Sequence, residues 1–127
     1  MKELTYATVC SGIECMSEAV RPLGGWKPVF FAEIEPYPSA VLKAKYPQVP
    51  NLGDMSRITV VKDGEITNGN TTIKLPEGGL DVLAGGCPCQ DFSIAGLRKG
   101  GADKSGTRSS LCFDFVRLVR EIQPRYV

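Results

Sequence analysis

Histidine is missing from this chain of 127 residues, and its absence narrows the chemistry at once. A zinc site would have to be built from thiolates and carboxylates. Cys87 and Cys89 form a C-x-C pair with no second C-x-x-C pair to complete a tetrahedral set, so no metal is expected. Long apolar runs are missing too. Lys2 and Glu3 follow Met1, and the first apolar stretch, 4–10, is too short for the core of a signal peptide, which argues against a leader or a membrane span. The charges nearly cancel, at net +1, so attraction to nucleic acid must come from local basic residues rather than from the bulk field. The cysteine count, five, is odd and supports no complete disulfide framework; free thiols in a reducing compartment are expected. The length allows one domain with a real core.

What is present alternates. Residues 4–10 read as a strand, with Thr5, Thr8 and Val9 β-branched. Ser11-Gly12 turns the chain into a helix expected over 13–23, with Ile13, Met16, Ala19 and Val20 at helical spacing and Gly24-Gly25 as its stop. A second strand is expected over 27–32. Pro36 or Pro38 then suits the first turn of a helix that Pro47 and Pro50 close. Residues 80–84 read as a third strand. Ser109 or Ser110 can cap a helix over 111–122, and 125–127 look like the start of another strand. This order predicts an α/β domain with a parallel sheet, right-handed crossovers and helices packed on the sheet. Residues 58–76 break the rhythm. They are polar and β-branched, with Lys62-Asp63-Gly64 and Asn68-Gly69-Asn70 as turn signals, and read as one or two hairpins inserted on the surface.

Five places carry candidate chemistry. Gly85-Gly86-Cys87-Pro88-Cys89-Gln90-Asp91-Phe92-Ser93 puts a thiol in a glycine-rich loop at the carboxyl end of a strand, where α/β proteins bind ligands. The plain alternative is an inert buried cysteine. The turn at 10–15 sits where a doubly wound fold receives a nucleotide-like ligand, with backbone amides of the next helix directed at it; a simple tight turn is the alternative. Glu33 ends the second strand about 20 residues past the glycine turn, the place of an acid that holds a ribose hydroxyl pair, against a solvated charge. Asp54, after Gly53, can accept from an adenine amino group or simply cap a turn. The 90–108 loop carries Arg98, Lys99, Lys104 and Arg108 among four glycines, which suits a mobile loop over a phosphate polymer; Asp91 and Asp103 offset part of that charge.

Taken in order, these segments resemble the amino-terminal half of the cytosine-5 DNA methyltransferase family. ATVCSGIECMSEAV resembles its first cofactor motif, FFAEIEPYPSAVLKAKYP the second, NLGDMSRI the third, DVLAGGCPCQDFSIAG the catalytic proline-cysteine motif, and GTRSSLCFDFVRLVREIQPRYV the fifth. The resemblance spans almost the whole chain except an insertion at 59–78. Departures are Glu14 and Cys15 where glycines are usual, and Cys10 and Ile34 where aromatics are common. The chain stops before the family's Glu-Asn-Val motif, its arginine-bearing motif and its target recognition domain.

The resemblance implies a Rossmann-like, doubly wound domain over 1–127 that is part of an S-adenosylmethionine-dependent enzyme of bacterial or phage type, working in the cytoplasm. It implies Cys89 as nucleophile, with Cys10, Gly12, Ile13, Glu33, Ile34, Asp54, Met55, Pro88 and Leu111 around the cofactor, and Gln90, Ser93, Arg98 and Arg108 toward the substrate. That substrate is double-stranded DNA with a flipped cytosine. The Cys89 thiolate adds to ring carbon 6, carbon 5 takes the methyl group, and loss of the carbon 5 proton expels the thiolate. Addition needs a lowered thiol pKa, and the missing glutamate would protonate ring nitrogen 3. Cys87 matches no catalytic position. Alone, such a fragment is expected to be inactive. Other readings are a non-catalytic or split subunit needing a complementing chain, an RNA cytosine methyltransferase, and a nucleotide-binding redox protein using the C-x-C pair. An uncovered sheet edge makes self-association a further expectation.

Overall fold

The structure is a computed structural model that describes residues 2–62, 64–86 and 110–127. In chain order its elements are β1 (Leu4–Val9), α1 (Cys15–Val20), β2 (Trp26–Ala32), α2 (Pro36–Lys45), β3 (Thr59–Lys62), β4 (Glu65–Thr67), β5 (Thr72–Lys74), β6 (Val82–Gly85) and α3 (Ser110–Ile122). This is the mixed α/β alternation expected from the hydrophobic pattern, with a parallel three-stranded sheet in the order β2-β1-β6. β1 is central, and five of its six residues are buried, as a strand covered on both faces must be. It runs beside β2 from Leu4↔Trp26 to Val9↔Ala32, and beside β6 from Tyr6↔Val82 to Val9↔Gly85. The β1–β2 register slips just after Tyr6↔Pro28. Pro28 has no amide for the ladder, so a local irregularity there has a direct cause. Asp81 locks the approach to β6, accepting from the Thr5 amide and hydroxyl at 2.9 and 3.0 Å. These two bonds, the backbone one first, hold its carboxyl below the ordinary aspartate range.

The core lies between this sheet and α3. Leu118 and Ile122 are buried, and Leu111, Phe115 and Val119 pack against the same cluster, the stripe an amphipathic helix presents. β3, β4 and β5 form a separate antiparallel sheet, Thr59↔Thr67 and Glu65↔Lys74 among its pairs. The Asn68 side chain closes the second turn by accepting from the amides of Asn70 and Thr71. The expectation that 58–76 is a surface feature needs correction: Ile58, Ile66 and Leu75 are buried in the main core. These three apolar side chains face inward, while Gly69 and Asn70 of the second turn are exposed.

Other boundaries also differ from expectation. The first helix begins at Cys15 rather than at residue 13 and ends at Val20, and Arg21–Leu23 form a separate 3-10 turn. Its start is delayed because Glu14 is left-handed, φ 69°, and caps the helix by accepting from the Ser17 amide. Its apolar spacing also misleads, since Ile13 and Ala19 are exposed while Ser17 is buried. The strand expected over 80–84 lies at Val82–Gly85, and the terminal strand is a single bridge, Val82↔Tyr126.

Gly85 shows how close the packing is at the end of β6. A Cβ there would lie 2.7 Å from Val9 Cγ2 and 2.9 Å from Phe115 Cε2. Gly85→Ala is therefore expected to destabilise the fold by about 1–3 kcal/mol through overpacking. Urea unfolding followed by circular dichroism measures this, and an unchanged midpoint would contradict the tight approach of β1, β6 and α3.

Candidate binding cleft at the strand ends

Parallel pairing brings the carboxyl ends of β1, β2 and β6 to one edge, and the loops that leave them build two clefts that meet at Cys10. The larger, of about 440 Å³, is walled by residues 8–16 and 84–86. The smaller is a crevice of about 30 Å³ bounded by Cys10, Ala32, Glu33, Ile34, Gly53, Asp54, Met55 and Leu111. Residues expected at one site from four separate stretches of sequence are thus brought together: Cys10, Gly12, Ile13, Glu33, Ile34, Asp54, Met55 and Leu111 all line one cleft or the other. A larger cavity of about 590 Å³ lies between the approach to β6 and the end of α3 and includes none of these residues.

Glu33 is not a solvated charge. Its Oε1 accepts from the Gly12 amide at 2.9 Å, and its Oε2 accepts from the amides of Ile34 and Glu35 at 2.8 and 3.3 Å. Three backbone donors hold the carboxylate rigid at the end of β2, ready to accept further from hydroxyl groups. The Gly12 bond corrects an expectation: this amide is directed at Glu33, and the Ser17 amide at Glu14, rather than at a ligand. Asp54 performs the plainer of its two expected roles, with Oδ1 accepting from the Ser56 amide and hydroxyl to cap a 3-10 turn over Met55–Arg57. Cys10, at φ 50°, is half-buried where the clefts join. Burial pushes its thiol pKa up, with Glu33 and Cys112 adding to the shift, so the thiol stays protonated at neutral pH.

Two residues that the sequence did not single out hold this arrangement. Asn51 accepts from the Glu33 and Gly53 amides and donates to the Glu33 carbonyl, tying Glu33 to the Asp54 loop. An asparagine two residues before a glycine is an Asx-turn signal that points to part of this role. Arg117, on α3, donates to the carbonyls of Met55, Ser56 and Ile58 and pairs with Glu121 at 3.1 Å. It fixes α3 against the Met55 wall. No local pattern marks it, because its acceptors are about 60 residues away.

Pro88, Cys89, Gln90, Ser93, Arg98 and Arg108 lie outside the described residues, as do Cys87 and Ser109. On either side of that stretch, Gly86 lines the larger cleft and Leu111 the smaller.

A family model described as C-5 cytosine-specific DNA methylase matches residues 4–127. Among curated proteins, the chain is 48% identical over 126 residues to one named DNA N-6-adenine-methyltransferase from Escherichia phage P1, a match covering 98% of this chain and 15% of that protein. It is 34% identical over 124 residues to Type II methyltransferase M.HpaII of Haemophilus parainfluenzae, covering 98% of this chain and 30% of the relative. It is 45% identical over 65 residues to Type II methyltransferase M.HhaI of Haemophilus parahaemolyticus, covering 51% and 18%. The chain thus spans less than a third of the length of each of these relatives.

Proposed function

Because the chain belongs to the C-5 cytosine-specific DNA methylase family, we propose that it carries the S-adenosylmethionine half-site and the thiol nucleophile of a DNA (cytosine-5)-methyltransferase. The observation that carries this reading is the convergence of eight expected cofactor residues on two joined clefts at the strand ends. In this reading the parallel sheet is part of a doubly wound, Rossmann-like domain, and residues 59–78 are a hairpin insertion in it. The substrate is double-stranded DNA with a cytosine turned out of the helix, in the cytoplasm of a bacterium or a phage-infected cell. The segments that relatives carry beyond the matched stretch, in the same or a complementing chain, supply target recognition.

The residues present fit the cofactor chemically. Glu33, already anchored by three amides, accepts from the ribose hydroxyl pair. Asp54 accepts from the adenine amino group through Oδ2, since Oδ1 is engaged by Ser56. Ile34, Met55, Leu111 and Cys10 supply apolar walls for the ring. When bound, the cofactor supplies an electrophilic methyl group on a positively charged sulfur. The Cys89 thiolate adds to carbon 6 of cytosine, forming a C–S bond and moving an electron pair onto the ring, so that carbon 5 becomes nucleophilic. After methylation, loss of the carbon 5 proton to a base drives out the thiolate and restores the ring. Pro88 orients Cys89, and Gln90, Ser93, Arg98 and Arg108 contact the base and its phosphates.

The phage P1 relative is named for methylation of adenine N-6. That reaction uses the amino group's own lone pair and needs no thiol. A proline-cysteine pair, Pro88-Cys89, in sequence just past Gly86, which lines the larger cleft, suits carbon 5 chemistry, whose acceptor carbon must first be activated. The test is covalent capture on duplex DNA containing 5-fluorocytosine, with S-adenosylmethionine, for this chain alone and with the remaining segments of a relative added. Fluorine at carbon 5 cannot leave as a proton does, so the adduct persists. Capture should survive Cys87→Ser and vanish in Cys89→Ser. Capture through Cys87, or methyl transfer to adenine in unmodified DNA, would overturn the reading.

A further inference from the structure

The loop that joins the two clefts holds a buried acid. Glu14 is only 1% exposed and left-handed, φ 69°. Glycine would take that backbone conformation freely, whereas a residue with a side chain is strained there. The side chain must therefore return something, and its contacts show what. Oε2 accepts from the Thr8 hydroxyl at 2.6 Å, and Oε1 accepts from the Ser17 amide and hydroxyl at 3.2 and 3.0 Å. Because the one hydroxyl proton of Ser17 goes to Glu14, the Tyr6 hydroxyl donates to Ser17, at 2.5 Å. The carboxylate thus sits beneath the loop with donors from the end of β1 and the first turn of α1. Among the described residues it has no ion-pair partner. Among the described residues, hydroxyls and an amide stabilise it, the condition under which a buried carboxylate is rigidly placed.

We propose that Glu14 is a positioning residue for the cofactor: its buried carboxylate ties β1 to α1 from below while Glu33 grips Gly12 from the other side, and together they hold residues 10–14 as the wall joining the two clefts. The inference rests on the cofactor reading above and deepens it. Cys10, Gly12 and Glu14 all have positive φ, at 50°, 58° and 69°, so the loop is a run of alternate left-handed residues that would relax without its anchors. Glu14 touches no reacting atom. Its effect reaches the cofactor through the shape of residues 10–13.

Two variants separate backbone shape from carboxylate. Glu14→Gly keeps the left-handed backbone without strain and removes the acceptor; Glu14→Gln keeps an acceptor for Ser17. Amide hydrogen exchange and calorimetric titration with S-adenosylmethionine are read on the whole chain. In Glu14→Gly, exchange at Gly12 and Ser17 should accelerate at least about tenfold, and cofactor affinity should fall by about tenfold, the scale of one lost hydrogen bond to a charged group. Exchange at Ala7 and Leu83 in the sheet should stay near wild type. Glu14→Gln should restore most of both. Wild-type exchange at Gly12 and Ser17 in Glu14→Gly, or acceleration spread evenly over the sheet, would overturn the proposal. If the wild-type chain fails to bind the cofactor at millimolar concentration, the cofactor reading and the positioning role fall together; if it binds and Glu14→Gly binds equally well, only the positioning role falls.

Discussion

Glu33→Ala is expected to weaken binding of S-adenosylmethionine by about a hundredfold or more. Two effects combine. On the proposed reading the variant removes the acceptor for a pair of ribose hydroxyls, and hydrogen bonds to a charged group each contribute about 1.5–3 kcal/mol. It also strips the Gly12, Ile34 and Glu35 amides of their acceptor, so the loop that faces the ligand loses its outer anchor. Glu33→Gln is the milder change: its single amide oxygen still accepts either from Gly12 or from Ile34 and Glu35, while its NH2 cannot accept from the other side and the charge is gone, so a loss smaller than that of Glu33→Ala, about tenfold, is expected. Calorimetric titration of wild type and both variants provides the comparison, with thermal unfolding as the control for folding. Equal affinity in Glu33→Ala would remove Glu33 from the site, and with it the reading of the crevice as a ribose pocket. Asn51→Ala should act in the same direction more weakly, since it frees the backbone of Glu33 without touching its carboxylate.

The second large effect is on stability. Phe30 is fully buried on β2 and belongs to the cluster that Leu83 and Leu118 complete from β6 and α3. Phe30→Ala leaves a ring-sized void among strands held in register on both sides of β1. Such truncations cost about 3–5 kcal/mol, a large share of the roughly 5–15 kcal/mol that stabilises a domain. A drop in thermal midpoint of roughly 10–20 °C should follow, given the usual entropy of unfolding at this size. Val116→Ala is the control. Its side chain is 47% exposed on α3, and a change within about 0.5 kcal/mol is expected. A small shift in Phe30→Ala would mean that β2 is not packed as described.

Much of the fold was legible in the hydrophobic pattern because its helices and strands are short, separately bounded and locally consistent. The β-branched and aromatic runs in β1 and β2 and the Pro36 start of α2 are properties of neighbouring residues. The stripe on α3 is of the same kind. Failures occurred where a local pattern met a long-range demand. The apolar spacing of 13–23 promised a helix with Ile13 and Ala19 inside. The buried side instead belongs to Glu14 and Ser17, because the Thr8 and Tyr6 hydroxyls of β1 lie beneath them. A polar surface hairpin was expected at 58–76, yet three apolar residues of that region close the core.

The sequence by itself determined the strand–helix alternation, the residues of the candidate cofactor motifs and the family, since these depend on residue types and their order. Only the tertiary structure decided that strand ends from β1, β2 and β6 share an edge, that Glu33 and Gly12 are bonded across 21 residues, that Glu14 turns inward, and that Arg117 braces Met55 from α3. Each of these is a pairing between distant segments. Pairing depends on which strand lies beside which, and that is set by burial of the whole core rather than by any stretch a helix or strand long.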